Sequence, residues 1–336
     1  MGWAHSLAAR NAEKLCRLTG MERCAFVTTG SEATTLALRL CRLHTGRPRV
    51  VIFDGSYHGH FDAFLGYPAD AAAPGQCAPV APGIPEAYTR DLIVLPYDEE
   101  TSLVYIEQHH REIACIFCEA IQNRNPAAVP ADFLRRLRAL TSERGIVLVF
   151  DEVVTGFRVA AGGVQERLGI RCDLACYGKA LGGGYPVGCV AGRAELLEGA
   201  SELAGGTYSQ HPLCMAAAGA VLDHIIERGD ELFTTLNATA ERFASRINAW
   251  WTTQGLALRV DRFCSMLRFQ IPAPMSLAFY QALKLNGVYC WEARTCFMTT
   301  AHTMEDADFA VEACQKTTRQ LQAHGIALPR LHPTPS

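Results

Sequence analysis

The chain has 336 residues, 49% of them apolar and 19% charged, with 31 Lys and Arg against 34 Asp and Glu. A formal net charge of −3 offers no basic patch for nucleic acid or an anionic membrane. No apolar stretch approaches the ~20 residues of a bilayer-spanning helix, and the opening Met1–Leu7 lacks the basic-then-apolar build of a signal peptide.

That length admits two domains, or one large α/β domain with an appendage. Ala25–Thr28 reads as a strand and Ser31–Leu43 as a helix, apolar at helical spacing. Val50–Phe53 is a second strand. Tyr67–Arg90 is a connection rich in Pro, Gly and Ala, with Pro68, Pro74, Pro79, Pro82 and Pro85, long enough to be functional or mobile. Strands at Leu92–Leu95, Ile113–Cys118 and Ile146–Phe150 then alternate with helices at Leu103–Arg111 and Asp132–Glu143, the latter stopped by Gly145. Leu174–Tyr177 and Val187–Ala191 follow as strands, and Leu213–His224 as an alanine-rich helix. The unbroken apolar run Ile146–Phe150 marks a strand buried on both faces. This alternation predicts an α/β fold with a mostly parallel central sheet flanked by helices.

After about residue 222 the pattern changes. A helix over Asp230–Trp251 precedes strands at Leu256–Val260 and Ser265–Phe269, and a helix near Ser276–Asn286. Val288–Trp291 and Phe297–Thr300 are strand-like, and Met304–His324 is a final helix. The expected domains are therefore a large one over 1–222 and a smaller C-terminal α+β domain over 223–330.

Fourteen cysteines could suggest disulfides, but Cys118, Cys176 and Cys189 lie in strand-like runs, where cysteine behaves as a small hydrophobe. Without a secretion signal the expected compartment is the reducing cytoplasm. Cys115 and Cys118 form the one close CxxC pair, yet no second pair or histidine set completes a metal site, and none is expected.

In a parallel sheet, ligands bind beyond the carboxyl ends of the strands. Thr28, Asp54, Glu119, Asp151 and Lys179 all fall at such ends. Lys179 sits between the strand Leu174–Tyr177 and the glycines Gly182–Gly184; apolar, glycine-rich flanks favour a desolvated amine with a lowered pKa, as Schiff-base chemistry needs. It is neither a Walker lysine, since Asp173 and Ala180 occupy key positions of that motif, nor part of a dinucleotide fingerprint. A plain surface lysine is the bland alternative. Asp151 ends the most apolar strand, where a carboxylate is costly unless paired; a cofactor pyridinium is one partner, and Arg158 or a backbone cap is another. A lysine for an aldehyde and an aspartate for a ring nitrogen together suit pyridoxal 5′-phosphate. Thr28–Ala33 joins a strand to a helix, with Ser31 as candidate cap and amides that attract a phosphate dianion. Tyr57, in the loop Asp54–His60, could stack on a flat cofactor. His58 and His60 at i, i+2 are a weak metal signal. Thr207, in Gly205–Pro212, could donate to phosphate or belong to an ordinary glycine turn.

Taken together, Thr29–Ala33, Ser56–Gly59, Asp151–Arg158 and Gly178–Gly184 resemble the class III aminotransferases of fold type I, over roughly Leu15–His324. Within that family the chain is similar to glutamate-1-semialdehyde aminomutase and to the aminotransferase domains of polyketide and nonribosomal peptide synthetases. Phe53–His60, Gly206–Pro212 and Gly287–Thr303 carry the second likeness. The resemblance implies a fold type I enzyme with pyridoxal 5′-phosphate. Lys179 would hold the cofactor aldehyde and shuttle a proton, Asp151 would bind the ring nitrogen, and Glu119 would be an active-site carboxylate with Gln122 close behind. Val153 and Tyr57 would sandwich the ring, with His58 also in the cofactor set. Gly30 and Ser31 would hold the phosphate, and Thr207 would reach the phosphate of a partner subunit in a homodimer. An amino-acid donor would pass its amine to a keto or aldehyde acceptor, in the embedded type a β-keto acyl chain on a carrier protein. Two departures stand out: Glu119-Ala120 replaces the usual Glu-Pro, and Val154 stands where some relatives carry glutamine. Relatives also have a substantial N-terminal segment, so a start at Met1 points to an excised or truncated domain. An aminomutase, a truncated inactive domain kept for dimerisation, and, weakly, a nicotinamide oxidoreductase are the competing readings.

Overall fold

Five short runs, three of them apolar at every position, build the centre of the protein in a computed structural model that describes residues 5–69, 75 and 77–331. Met1–Ala4 and Pro74 lie outside the described residues. By its internal contacts the described chain divides into two units, one running to Gln122 and resuming over Val129–Gly229, the other holding Asn123–Ala128 and the chain from Asp230.

The first unit begins with α1 (Ser6–Thr19), β1 (Arg23–Val27), α2 (Gly30–Thr45) and β2 (Arg49–Phe53). The proline-rich connection contains a small hairpin of β3 (Gly66–Pro68) and β4 (Cys77–Pro79), followed by the single turn α3 (Glu86–Thr89). Then come β5 (Leu92–Leu95), α4 (Glu100–His109), β6 (Ile113–Cys118), α5 (Ala131–Arg144) and β7 (Val147–Asp151). The unit closes with α6 (Gly163–Leu168), β8 (Leu174–Tyr177), β9 (Gly188–Gly192), α7 (Ala200–Leu203) and α8 (Pro212–Arg228).

Seven of these strands form one sheet in the order β1-β9-β8-β7-β6-β2-β5. Strands β5, β2, β6, β7 and β8 are mutually parallel, and β9 alone runs against its neighbours. Every residue of β6, β7 and β8 is buried, as strands covered on both faces require. Each fully buried Val, Leu or Phe of this layer contributes ~1.5–3 kcal/mol, and truncating one to alanine costs ~2–5 kcal/mol. The sheet is the mostly parallel one that the alternation predicted. Its parallel strands end at one edge, which receives Asp54, Glu119, Asp151 and Lys179.

The second unit holds α9 (Asp230–Thr253), β10 (Arg259–Phe263), β11 (Met266–Gln270), α10 (Ala273–Leu285), β12 (Cys296–Phe297) and α11 (Met304–Ala323). Trp251, Phe243, Phe269 and Phe279 fill its core, and the Trp251 indole donates to Thr318 Oγ1 at 3.0 Å. The Thr295 hydroxyl donates to the Asn123 carbonyl, which ties Asn123–Ala128 to this unit. Three expected elements change here. The strand expected from Leu256 starts at Arg259, with Leu256 left as an isolated bridge to Arg330. Phe297–Thr300 shrinks to the two residues of β12. Val288–Trp291 forms no strand: Val288 and Cys290 pack on the core while Tyr289 and Trp291 stand 77% and 71% exposed, so the period-2 pattern is real but no strand pairs with it.

Candidate active site

At the carboxyl edge of the sheet the chain leaves each strand through a tight turn. After β1, Thr29 is extended and its side chain accepts the Glu32 amide at 3.1 Å, so Thr29 is the cap of α2. Glu32 reaches back to accept the Thr28 amide at 2.7 Å. The expectation that Ser31 caps the helix is therefore corrected: Ser31 lies inside the first turn, and its hydroxyl accepts the His60 amide at 3.3 Å. The reason is one of register, since Thr29 is the last extended residue and a cap must precede the first helical one. The amides of Gly30 and Ser31 are left without intrahelical acceptors at the positive end of a 16-residue helix. A Cβ on Gly30 would stand 2.8 Å from Val153 Cγ1, so the turn lies flat against Val153 only because the residue is glycine.

The loop after β2 is stitched to its surroundings. Thr34 Oγ1 donates to the His58 carbonyl at 2.7 Å, and Gln122 Nε2 donates to the Asp54 carbonyl at 2.7 Å and to Ser56 Oγ at 3.1 Å. Gly59 is left-handed, and a Cβ there would meet Ser31 Cα at 2.9 Å. Tyr57 keeps an exposed ring while its amide donates to Glu119 Oε1 at 2.7 Å. Glu119 is itself buried at the end of β6.

Asp151 ends β7, 7% exposed. One oxygen accepts the Val153 amide at 3.1 Å, and the other lies 2.8 Å from His58 Nδ1. The pairing with Arg158 that the sequence left open does not form; Arg158 Nε donates to the Val154 carbonyl instead. His58 is buried against the rings of Phe64 and Phe117, and its Nε2 has no partner among the described residues. The contact at Nδ1 orients the Asp151 carboxylate. Among the described residues no group of three or more His, Cys, Asp or Glu could hold a metal ion.

Lys179 follows β8 and has φ +42, a left-handed conformation that costs a non-glycine residue about 1 kcal/mol or more. Its side chain reaches solvent, yet the walls around the amine withhold enough water to lower its pKa. Desolvation is the main cause; the Asp151 and Glu119 carboxylates oppose it, and the Arg158 guanidinium adds to it. Asp151, Glu119 and Arg158 therefore lie within electrostatic reach of the Lys179 amine. Thr207, by contrast, stands on an exposed turn ahead of α8, and no interaction joins it to the Gly30–Ser31 turn within the described residues.

Sequence reasoning missed Glu152. It is fully buried and accepts the amides of Val164 and Gln165 and the Thr155 hydroxyl at 2.8, 3.2 and 2.7 Å, which folds the segment after β7 back on itself. Gly163, at φ +75, is required here because a Cβ would collide with the Glu152 carboxylate. Burial outweighs these donors and raises the Glu152 pKa to about 7. A carboxyl whose folded pKa exceeds its unfolded one binds its proton more tightly in the fold. Its contribution of ~3 kcal/mol is then present in acid and lost as pH rises from about 4.5 through about 7. Thermal melts between about pH 5 and about pH 8 should show wild-type stability falling with pH, and a flatter profile for Glu152→Gln. Equal slopes in the two proteins would rule Glu152 out as the titrating group.

Flat glycine turns, a helix start open to a dianion, a partly desolvated lysine and an oriented carboxylate are the donor set that pyridoxal 5′-phosphate asks for, and the residues present fit it. The sequence matches the family Aminotransferase class-III over residues 2–321. It is 35% identical to a glutamate-1-semialdehyde 2,1-aminomutase of Nitratidesulfovibrio vulgaris (strain DP4) over 324 residues, 90% of this chain and 75% of that protein. It is 37% identical to the protein of the same name from Thermomicrobium roseum, over 90% of this chain and 74% of that one. Among solved structures, a transaminase with PLP bound aligns at a TM-score of 0.88 over 97% of this chain and 80% of that one; at 24% identity this likeness speaks for the fold alone.

Proposed function

Since the chain belongs to the class III aminotransferases, enzymes that depend on pyridoxal 5′-phosphate, we propose that it moves an amino group from an amino-acid donor to a keto or aldehyde acceptor. One observation carries this reading: Lys179, strained and with a lowered amine pKa, stands at the end of β8 beside the Asp151 carboxylate at the end of β7. When bound, the cofactor supplies an aldehyde for amines and a ring that withdraws electrons from the reacting carbon.

The chain's own residues do the rest. The Lys179 amine, more often neutral than a free lysine, holds the cofactor aldehyde as a nucleophile and carries the proton to and from the substrate carbon. Asp151 would hold the proton on the ring nitrogen, and His58 fixes that carboxylate's direction. Val153 would pack against the ring, and Tyr57, on the loop that Glu119 holds by its amide, would supply the opposing aromatic surface. The Gly30 and Ser31 amides would hold the phosphate at the positive end of α2. Borohydride reduction of the holoenzyme, digestion and mass spectrometry should place a pyridoxyl group on the Lys179 peptide. A label on another lysine, or on none, would defeat the assignment.

The acceptor we propose extends to a β-keto acyl chain on an acyl or peptidyl carrier protein; the likeness of Phe53–His60 and Gly287–Thr303 to synthetase-embedded domains supports it. A second reading, isomerisation within one molecule, is favoured by the 35–37% identity to proteins named as 2,1-aminomutases. Supplying separate donor and acceptor tests the two: amine exchange between them supports transfer, and turnover of glutamate-1-semialdehyde alone supports the mutase.

For the assembly we propose a homodimer in which Thr207, exposed within its own subunit, reaches the phosphate of the partner subunit. Thr207→Val should weaken cofactor retention about tenfold, the value of one hydrogen bond to a charged group, read by equilibrium dialysis. Unchanged affinity would count against the contact. All fourteen cysteines are free thiols, which supports placing the protein in the reducing cytoplasm.

A further inference from the structure

At the opposite edge of the large sheet, where β7 and β8 begin, basic side chains gather around one buried carboxylate. A cavity of about 420 Å³ is lined there by His44 from the end of α2, Arg138 and Ser142 from α5, Arg171 and Asp173 from the segment before β8, and Arg193 from the end of β9. Asp173 is fully engaged. Its Oδ2 accepts Arg138 Nη1 and the Leu148 amide, both at 2.8 Å, and its Oδ1 accepts Arg193 Nη1 at 3.3 Å. Arg193 also pairs with Glu195. Arg171 meets no carboxylate among the described residues; it donates to the neutral Thr19 carbonyl at 2.6 Å. Arg138 Nε is buried without a partner among the described residues. Three guanidiniums are thus met by two carboxylates, both already engaged, beside a histidine. Packing cations together costs energy unless an anion joins them, and a buried guanidinium N–H calls for an acceptor.

We propose that this cavity binds a small dianion, a dicarboxylate or a phosphate, at a site separate from Lys179. Planar guanidiniums present forked donors that match the oxygen pairs of both groups. The cavity lies within the ~300–1,000 Å³ range of small-molecule sites. It opens at the amino ends of the parallel strands, whereas Asp151 and Lys179 stand at their carboxyl ends. A bound dianion would join segments contributed by α2, α5, β8 and β9, and would raise thermal stability by mass action.

The test is calorimetric titration of the holoenzyme with succinate and, separately, inorganic phosphate, alongside thermal melts. Saturable binding of at least one anion with a raised Tm is expected, and which anion binds identifies the source. Arg171→Gln and His44→Gln should each weaken that binding about tenfold, while Lys179→Ala should leave it unchanged. Two variants on different segments guard against a simple folding failure. No saturable binding of either anion, binding unchanged in both cavity variants, or binding lost in Lys179→Ala would overturn the proposal.

Discussion

Replacing Lys179 by alanine will abolish transamination and the visible absorption of covalently held cofactor. Turnover should fall by roughly 10³-fold or more, because in the proposed reaction one side chain would serve both as nucleophile and as proton carrier, and effects of groups acting as a unit are lost together. The amine is suited to both tasks by its surroundings. Desolvation lowers its pKa, while Asp151 and Glu119 limit the shift, so a neutral amine is available without the group losing its basicity. The backbone supplies an independent check that the loss is chemical. Lys179 occupies φ +42, which alanine tolerates no better than lysine and glycine tolerates freely. Lys179→Gly should therefore be more stable than Lys179→Ala by about 1 kcal/mol while being equally inactive. Turnover that persists in either variant without added amine would sink the assignment.

Much of this site was legible because strand ends are legible. Unbroken apolar runs such as Val147–Phe150 and Leu174–Tyr177 announce buried parallel strands, and a parallel sheet delivers its ligand site to their carboxyl ends. Lys179, Asp151, Glu119 and the Thr28–Ser31 turn follow from that rule alone. What stayed hidden depends on separation or on register. His58 and Asp151 are 93 residues apart, and no periodicity links a loop after β2 to the end of β7. Glu152 carries no motif of its own in the sequence; the fold sends it into the protein, onto the amides of Val164 and Gln165. The α2 cap was misplaced by two residues because Thr29 and Ser31 are both competent caps, and only the extended backbone at Thr29 decides between them. Val288–Trp291 alternates correctly, yet periodicity reports which side faces inward and says nothing of a hydrogen-bonding neighbour.

Asp151→Asn should reduce turnover by about 10²–10⁴-fold with the fold retained. Asparagine fills the same volume but offers one acceptor oxygen where aspartate offers two, so it cannot meet the Val153 amide and His58 Nδ1 as the carboxylate does. That loss costs stability only ~1 kcal/mol, because the strand beneath it is held by its buried faces. The catalytic loss is larger for a different reason: a neutral amide does not hold a proton on the ring nitrogen, and the ring then withdraws electrons poorly. His58 separates the two effects. As a positioning residue it should matter through Asp151, so His58→Asn in the Asp151→Asn background should add little to the loss, whereas independent groups would multiply. Near-wild-type turnover in Asp151→Asn would reduce the carboxylate to a cap for the Val153 amide. A multiplicative double variant would give His58 a task of its own.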